Sequence, residues 1–243
     1  MKRVLVPLPD RDFDVTEVAV PWKLLRRAGH EVVFATEQGA VAAADPRLIG
    51  GVIFGQLGAD AEARAFYAEL LQSPEFQRPL TWSSLRQADF DALLLPGGHA
   101  PGMRQYLGSE LLQNRIAEFW NSRVPIAAIC HGVLVLARSR HQGKSVLHAA
   151  RTTSLTKWQE RLAYYLTFWK LGKYYRTYPA YVEDEVKAAL DSPAQYQRGP
   201  VTWGARGTAT NDDPAFVVED GRYVSARWPG DAYLFARKLI DRL

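Results

Sequence analysis

The first 140 residues alternate between short apolar runs and helical patterns, and this alternation constrains the fold more than any other feature of the chain. A helical pattern after each apolar run indicates parallel strands joined by crossover helices. The predicted segments are strands at 3–8, 31–36, 91–95 and 124–129, helices at 16–27, 61–72, 110–121 and 133–138, and a long small-residue loop at 36–60. The sequence therefore predicts a doubly wound α/β sheet, mainly parallel and sandwiched by helices.

The residues after 140 depart from this alternation. The predictions there are a strand with its loop at 144–155, a helix at 157–171, a segment rich in Tyr and charge at 172–200, strands at 215–218 and 222–226, and a helix at 230–243. We expect one domain over 1–243 in which 157–200 form a helical, aromatic-rich insertion or lid. The aromatic stripe of the helix at 157–171 is expected to be buried, with a lid or a subunit contact as the alternative.

The only cysteine, Cys130, stands between a predicted strand and a predicted helix and is followed by His131 and Gly132. This order is typical of a nucleophile elbow, and a glycine lets such a turn close without a Cβ clash. The first amides of a helix and a neighbouring imidazole both lower the pKa of a thiol. We therefore expect Cys130 to be a reactive thiolate, with an inert buried thiol as the alternative.

Two further loops leave the carboxyl ends of predicted strands, where ligands bind in doubly wound folds. A Gly-Gly pair lets backbone amides face a substrate oxygen, so the amides of Gly98 and His131 are expected to form an oxyanion hole. Gly97 and His99 are expected to contact the substrate. Glu17 lies near the start of the first helix, where an acid also simply favours the helix dipole.

These segments resemble the ThiJ/PfpI superfamily, whose fold is similar to class I glutamine amidotransferase domains. The motifs are Thr-Glu-Val-Ala-Val-Pro at 16–21, Leu-Arg-Arg-Ala-Gly at 25–29, Leu-Leu-Leu-Pro-Gly-Gly-His at 93–99 and Ala-Ile-Cys-His-Gly at 128–132. The resemblance implies a flavodoxin-like sandwich in which Cys130 is the nucleophile, Glu17 is the acid hydrogen-bonded to it, and Gly98 and His131 supply oxyanion amides. The Cys-His pair and the closing segment 221–232 resemble the branch that contains the PfpI proteases and the chaperone/glyoxalase III proteins.

The histidines argue against glutamine hydrolysis. A class I glutaminase needs a His-x-Glu pair late in the domain, and the five histidines, of which His148 is the last, do not supply one. His131 is therefore the candidate base. Glu160 is a candidate third catalytic group, and a solvated helical acid is the alternative. The histidines are too scattered for a zinc spacing, so neither a metal nor another cofactor is expected.

Composition bears on the compartment and the partners of the protein. One cysteine cannot form an internal disulfide, which favours a reducing compartment, and we expect the cytoplasm. The apolar run at the start ends at Pro7, too early for a signal peptide, and no stretch approaches the roughly 18 apolar residues of a membrane span. Acidic and basic residues are interspersed despite a net charge of +4. The expected partner is a small-molecule substrate, with no nucleic acid and no membrane, and a homodimer is left open.

The sequence thus predicts a cofactor-independent cysteine enzyme acting on a small reactive carbonyl. The reaction expected is glyoxalase III-like, the conversion of a 2-oxoaldehyde to a 2-hydroxy acid, in which the Cys130 thiolate adds to the aldehyde. An amide or peptide hydrolase would use the same Cys-His site. The alternative from another class is a non-catalytic stress chaperone or a redox sensor acting through Cys130.

Overall fold

The computed structural model describes residues 1–52 and 57–243. Its strands are β1 (Arg3–Pro7), β2 (Arg11–Phe13), β3 (Glu31–Thr36), β4 (Ala43–Ala44), β5 (Leu80–Thr81), β6 (Ala92–Leu95), β7 (Ile126–Ile129), β8 (Arg140–His141), β9 (Lys144–Ser145), β10 (Val217–Asp220) and β11 (Tyr223–Ala226). Its helices are α1 (Val15–Arg27), α2 (Pro46–Gly50), α3 (Ala61–Leu70), α4 (Pro74–Gln77), α5 (Met103–Gly108), α6 (Glu110–Asn121), α7 (Val133–Arg138), α8 (Lys157–Leu171), α9 (Val182–Ala188) and α10 (Ala232–Ile240). None of the helices in these ranges has the length and apolarity that crossing a membrane requires.

Seven strands form one sheet in the order β10-β11-β7-β6-β1-β3-β5. β10 runs antiparallel to β11, and the other neighbours are parallel. The chain moves from β1 to β3 in one direction and from β6 to β7 in the other, so right-handed crossovers place helices on both faces. α1 packs against α3 and α10, and α7 packs against α6 and α9. The predicted flavodoxin-like, doubly wound α/β sandwich is confirmed.

The central strands explain why the sheet is hidden. All four residues of β6 and all four of β7 are buried. Both strands read as continuous apolar runs, Ala-Leu-Leu-Leu and Ile-Ala-Ala-Ile, because helices cover each of their faces. The order reverses between β1 and β6, and the loops that follow these two strands and β7 therefore meet at one edge of the sheet.

Helix α1 starts one residue earlier than its sequence pattern predicts. The Asp14 carboxylate accepts hydrogen bonds from the backbone N–H groups of Thr16 at 2.8 Å and Glu17 at 3.1 Å. These bonds satisfy two of the amide groups that a helix start leaves free. The cap holds Glu17 in the first helical turn, just beyond the carboxyl end of β1.

The chain departs from prediction in two segments. In the described part of the chain, the strand predicted at 144–155 is reduced to β9, which pairs with β8, and to an isolated bridge between Thr152 and Tyr196. The Ser145 hydroxyl accepts a hydrogen bond from the Leu147 N–H at 3.2 Å, and such local bonds replace a strand ladder. The loop predicted at 36–60 contains β4 and α2, and its part at 53–56 lies outside the described residues.

Helix α8 has the predicted bounds, but its aromatic stripe is not buried. Trp158 is 36% exposed and Trp169 is 66% exposed. The face that packs inward carries Glu160, Ala163 and Thr167 instead. The expectation of a buried stripe was wrong because this helix buries its small and polar face and leaves the aromatic side chains at the surface.

Gly132 is the position where we expect the fold to tolerate a side chain least. A Cβ there would lie 2.6 Å from the Pro96 carbonyl oxygen and would also overlap the Leu95 carbonyl. Since both obstacles are backbone, they cannot rotate away. We predict that Gly132→Ala lowers the free energy of unfolding by more than about 2 kcal/mol, measured by urea denaturation followed by circular dichroism.

The matched control is Gly50→Ala, because a Cβ at Gly50 would meet nothing within 4 Å. This control should shift the free energy of unfolding by no more than about 0.5 kcal/mol. Equal effects of the two substitutions would show that the elbow can relax around an added methyl group.

Candidate functional site

Cys130 occupies the turn between β7 and α7 with a φ of 58°. This left-handed conformation is unfavourable for a residue that has a Cβ, and it persists only where the surroundings enforce it. The loop after β6 passes close to this turn at Gly97, where an added Cβ would lie 3.0 Å from the Cys130 Cβ and 2.7 Å from the His131 nitrogen. The turn has the geometry of a nucleophile elbow.

Glu17 reaches the elbow from the first turn of α1. Its Oε2 accepts a hydrogen bond from the Gly97 N–H at 2.8 Å, and its Oε1 is buried without a nitrogen or oxygen partner among the described residues. The Cys130 thiol is a neighbour of this carboxyl, and each of the two groups acts on the pKa of the other. Burial and then the charge of Asp14 raise the pKa of Glu17 well above its ordinary value. Glu17 is therefore held as a neutral carboxyl group with a proton to donate.

The ring of His131 lies between Cys130 and Thr177. Its Nδ1 is 3.5 Å from the Cys130 Sγ, and its Nε2 is 3.4 Å from the Thr177 Oγ1. The Thr177 hydroxyl donates its hydrogen to the His99 carbonyl at 2.5 Å, so its oxygen accepts from the ring. This arrangement favours the tautomer with hydrogen on Nε2, which leaves the Nδ1 lone pair directed at the thiol.

The charge state of Cys130 differs from the expectation of a resting thiolate. Burial is the largest effect and raises the pKa of the thiol well above its ordinary value, and ionisation of Glu17 or Asp14 acts in the same direction. The His131 amide lowers this pKa, but by less. Burial also lowers the pKa of the His131 ring. The resting site is thus a neutral thiol beside a neutral imidazole.

Glu160 is not a solvated acid, and its hydrogen bonds go to the segment around Thr177. It is 1% exposed, and it accepts hydrogen bonds from Arg176 at 2.9 Å and from the Val182 N–H at 3.0 Å. Burial raises the pKa of Glu160 to about 7. These bonds hold the chain on both sides of Thr177, and it is Thr177 that contacts the outer nitrogen of His131.

In the loop after β6, the backbone of Gly97 binds other parts of the site. The Gly97 N–H binds Glu17, and the Gly97 carbonyl accepts from the Asp14 N–H at 2.9 Å. Both backbone groups of Gly97 are thus engaged in building the site, and its contact with a substrate stays a prediction. The amides of Gly98 and His131 remain the predicted oxyanion donors.

His99 lies beside the candidate nucleophile. Its ring packs edge-to-face on His131 at 4.9 Å between centroids and on Tyr175 at 5.8 Å. Its Nε2 is buried without a partner in the described part of the chain, and burial lowers the pKa of the ring to about 4. His99 is therefore a neutral imidazole with one free ring nitrogen near Cys130.

One donor atom each of His99, Cys130 and His131 lies within 4.8 Å of the others. Imidazole nitrogen and thiolate sulfur are donors that zinc favours. The same three atoms are the ones available for cysteine chemistry, and burial opposes the thiolate that a metal needs. An ion at this cluster would therefore block the thiol, and the absence of a catalytic metal stays a prediction.

A cavity of about 670 Å³ adjoins this cluster through His99 and Tyr175. Most of its wall comes from α8, residues 198–206 and residues 227–229, and Asp14, Leu48 and residues 57–60 also line it. Trp158 and Trp203 contact each other edge-to-face at 5.8 Å and are partly or largely exposed, so they lie at the mouth of the cavity.

The fold and the elbow together define a flavodoxin-like α/β protein with a buried cysteine at the edge where the strand order reverses. The sequence matches the family described as ThiJ/PfpI family-like over residues 8–200, and the chain belongs to that family.

Three relatives illustrate the likeness. The chain is 27% identical to a deglycase of Pyrococcus abyssi over 99% of each protein. It is 32% identical to protein/nucleic acid deglycase 2 of Escherichia coli over 56% of this chain and 63% of that protein. The crystal structure of glyoxalase III from Candida albicans superposes with a TM-score of 0.72 at 18% identity, covering 100% of this chain and 97% of the other.

Sequence reasoning missed two residues of the site. Asp14 precedes the helical pattern as Asp-Val-Thr-Glu, which is an N-cap signal that was available to find it. Burial raises the pKa of Asp14 to about 6, so it also influences Glu17 and Cys130. Thr177 carries no signal at all, because it stands in an irregular segment 46 residues after His131.

The neutral resting thiol leads to a prediction for alkylation by iodoacetamide. Because burial raises the pKa of Cys130, its alkylation rate should rise with pH at a higher midpoint than that of the denatured protein, and it should be slower at neutral pH. Rates are measured by mass spectrometry across a pH series.

The comparison variant is Glu17→Gln, which replaces a neutral acid by a neutral amide. At neutral pH its alkylation rate should stay within about threefold of the native rate, since a neutral Glu17 exerts no charge on the thiol. If the alkylation rate of the native protein rose with pH at a lower midpoint than that of the denatured protein, Cys130 would be a resting thiolate, as the sequence predicts.

Proposed function

We propose that this chain is a cofactor-independent cysteine enzyme that acts on reactive carbonyls and converts a 2-oxoaldehyde and water into a 2-hydroxy acid. One observation carries the proposal: the Cys130 thiol has the free nitrogen of His131 on one side and the neutral carboxyl of Glu17 on another, inside a buried site. The names of the relatives, deglycase and glyoxalase III, support carbonyl chemistry.

The first step is addition of sulfur to the aldehyde. The His131 Nδ1 takes the thiol proton as the Cys130 sulfur bonds to the aldehyde carbon, so a neutral thiol suffices for attack. The amides of Gly98 and His131 stabilise the oxygen that gains charge. The imidazolium then returns its proton to that oxygen, and the product is a neutral hemithioacetal.

The second step moves hydrogen between the two adjacent carbons. Neutral Glu17 gives its proton to the ketone oxygen, and the carboxylate then takes the proton from the sulfur-bearing carbon, which leaves an enediol. Glu17 next protonates the neighbouring carbon and recovers a proton from the hydroxyl of the sulfur-bearing carbon. The product is the thioester of a 2-hydroxy acid, with no net gain or loss of protons.

The third step is hydrolysis. His131 takes a proton from water as the oxygen attacks the thioester carbon, and the carbon–sulfur bond breaks. The proton then passes to the departing sulfur. The 2-hydroxy acid leaves, and the neutral thiol is restored.

The cavity supports a small molecule over a peptide. Residues of α8 and of the segments 198–206 and 227–229 line it on several sides, so the space beside His99 is a pocket. An extended peptide would need an open groove with free backbone groups along it. Carbonyl chemistry is therefore preferred over peptide hydrolysis at the same cysteine.

Replacement of Glu17 tests its part in the second step. Glu17→Gln keeps an acceptor for the Gly97 N–H but cannot carry a proton, so turnover of methylglyoxal should fall by roughly 10²- to 10⁴-fold. The assay follows methylglyoxal loss and lactate formation, and Cys130→Ala sets the background with no turnover. Near-native turnover by Glu17→Gln would assign the proton transfer to another group.

Replacement of Thr177 tests the orientation of His131. Thr177→Val removes the acceptor for the Nε2 hydrogen and should lower kcat for methylglyoxal by about 10- to 100-fold with little change in KM. Thr177→Ser keeps the hydroxyl and should restore most of the activity, which separates the hydrogen bond from the packing of the side chain.

The surface substitution Thr210→Val is the matched control and should leave kcat unchanged. Glu160→Gln should retain turnover within about threefold, because an amide oxygen still accepts from the Val182 N–H. A loss with Glu160→Gln as large as with Thr177→Val would return Glu160 to a catalytic role.

A further inference from the structure

The cavity is larger than a three-carbon carbonyl compound needs. Its volume of about 670 Å³ lies in the range of roughly 300–1,000 Å³ that holds drug-sized ligands. Its apolar wall includes Leu48, Leu162, Leu166 and the three tryptophans Trp158, Trp203 and Trp228. A wall of this kind favours a ligand with a flat apolar body.

Three arginines also line the cavity, and two of them are neutralised. Arg198 forms an ion pair with Glu183, and Arg227 forms a buried ion pair with Asp231 at 2.9 Å. Arg206 has no carboxylate within salt-bridge distance among residues 1–52 and 57–243.

The surroundings of Arg206 place its charge in the cavity. The half-buried guanidinium lies 5.4 Å from the centre of the Trp228 ring, and both side chains line the space. The positive charge of Arg206 lowers the pKa of Asp14. The Asp14 carboxylate, however, already accepts hydrogen bonds from the N–H groups of Thr16 and Glu17. A guanidinium without its own carboxylate, supported by an indole, is suited to an anionic ligand oxygen.

We infer that the substrates of this enzyme are aryl or similarly bulky apolar 2-oxoaldehydes that carry an anionic group bound by Arg206. The inference rests on the proposed function for the reacting carbonyl. The apolar body and the anionic group are inferred from the residues that line the cavity. The apolar body contacts the tryptophan-lined wall, and the anionic group pairs with Arg206. The aldehyde approaches Cys130 from the side of His99, which belongs both to the cavity wall and to the cluster around the cysteine.

The first experiment measures binding without chemistry. Calorimetry compares naphthoate with naphthalenemethanol, which has the same ring and no charge. Naphthoate should bind at least about tenfold more tightly to the native protein, as expected for a charge-assisted contact. Arg206→Gln should remove that preference, and Arg78→Gln, which changes an exposed arginine outside the cavity lining, should retain it.

The second experiment measures turnover of phenylglyoxal and of its ring-carboxylated analogue. The ratio of the two kcat/KM values should favour the carboxylated compound by about tenfold or more, and Arg206→Gln should bring the ratio near unity. Arg206→Lys should give an intermediate ratio, because a point charge replaces the planar guanidinium.

The outcomes separate the two claims. Methylglyoxal turnover with no preference for charged over neutral aryl compounds would overturn the substrate class and leave the carbonyl chemistry standing. Naphthoate binding that depends on Arg206, in a protein with no turnover of any 2-oxoaldehyde, would support the anion site and overturn the proposed reaction.

Discussion

One buried hydrogen bond, from the Gly97 N–H to the Glu17 carboxyl group, joins the parts on which this site depends. Glu17 comes from the helix after β1, Gly97 from the loop after β6, and Cys130 from the turn after β7. The bond fixes one carboxyl oxygen and leaves the other beside the thiol. Because Gly97 has no side chain, the loop can pass close to the elbow, in which Cys130 has a left-handed conformation.

Burial sets the chemical character of this site. It raises the pKa of the Glu17 carboxyl and of the Cys130 thiol and lowers that of the His131 ring. All three groups are therefore neutral at rest, and in the reaction we propose, charge develops only when a substrate carbonyl accepts the sulfur. This arrangement of neutral groups suits carbonyl addition, because each proton that leaves one group has a nearby acceptor.

The segment after α7 orients the His131 ring and forms much of the cavity wall. Glu160 binds Arg176 and the Val182 N–H, which holds the intervening chain against His131. Thr177 in that chain then fixes the tautomer of the ring through the His99 carbonyl. The same region contributes α8 and Arg206 to the cavity wall. Residues distant from the cysteine in sequence thus orient His131 and line the cavity in which we propose that the substrate binds.

The sequence by itself determined the α/β order, the position of the elbow and the identity of Cys130, His131 and Glu17 as candidates. These follow from local patterns, since strand and helix periodicity and a strand–Cys–His–Gly turn are readable within a few residues. Only the tertiary structure decided the charge states, the orientation of His131 by Thr177, the structural use of Glu160 and Gly97, and the exposure of the aromatic face of α8. Each of these depends on burial or on contacts between segments far apart in the chain, and neither is encoded in a local pattern.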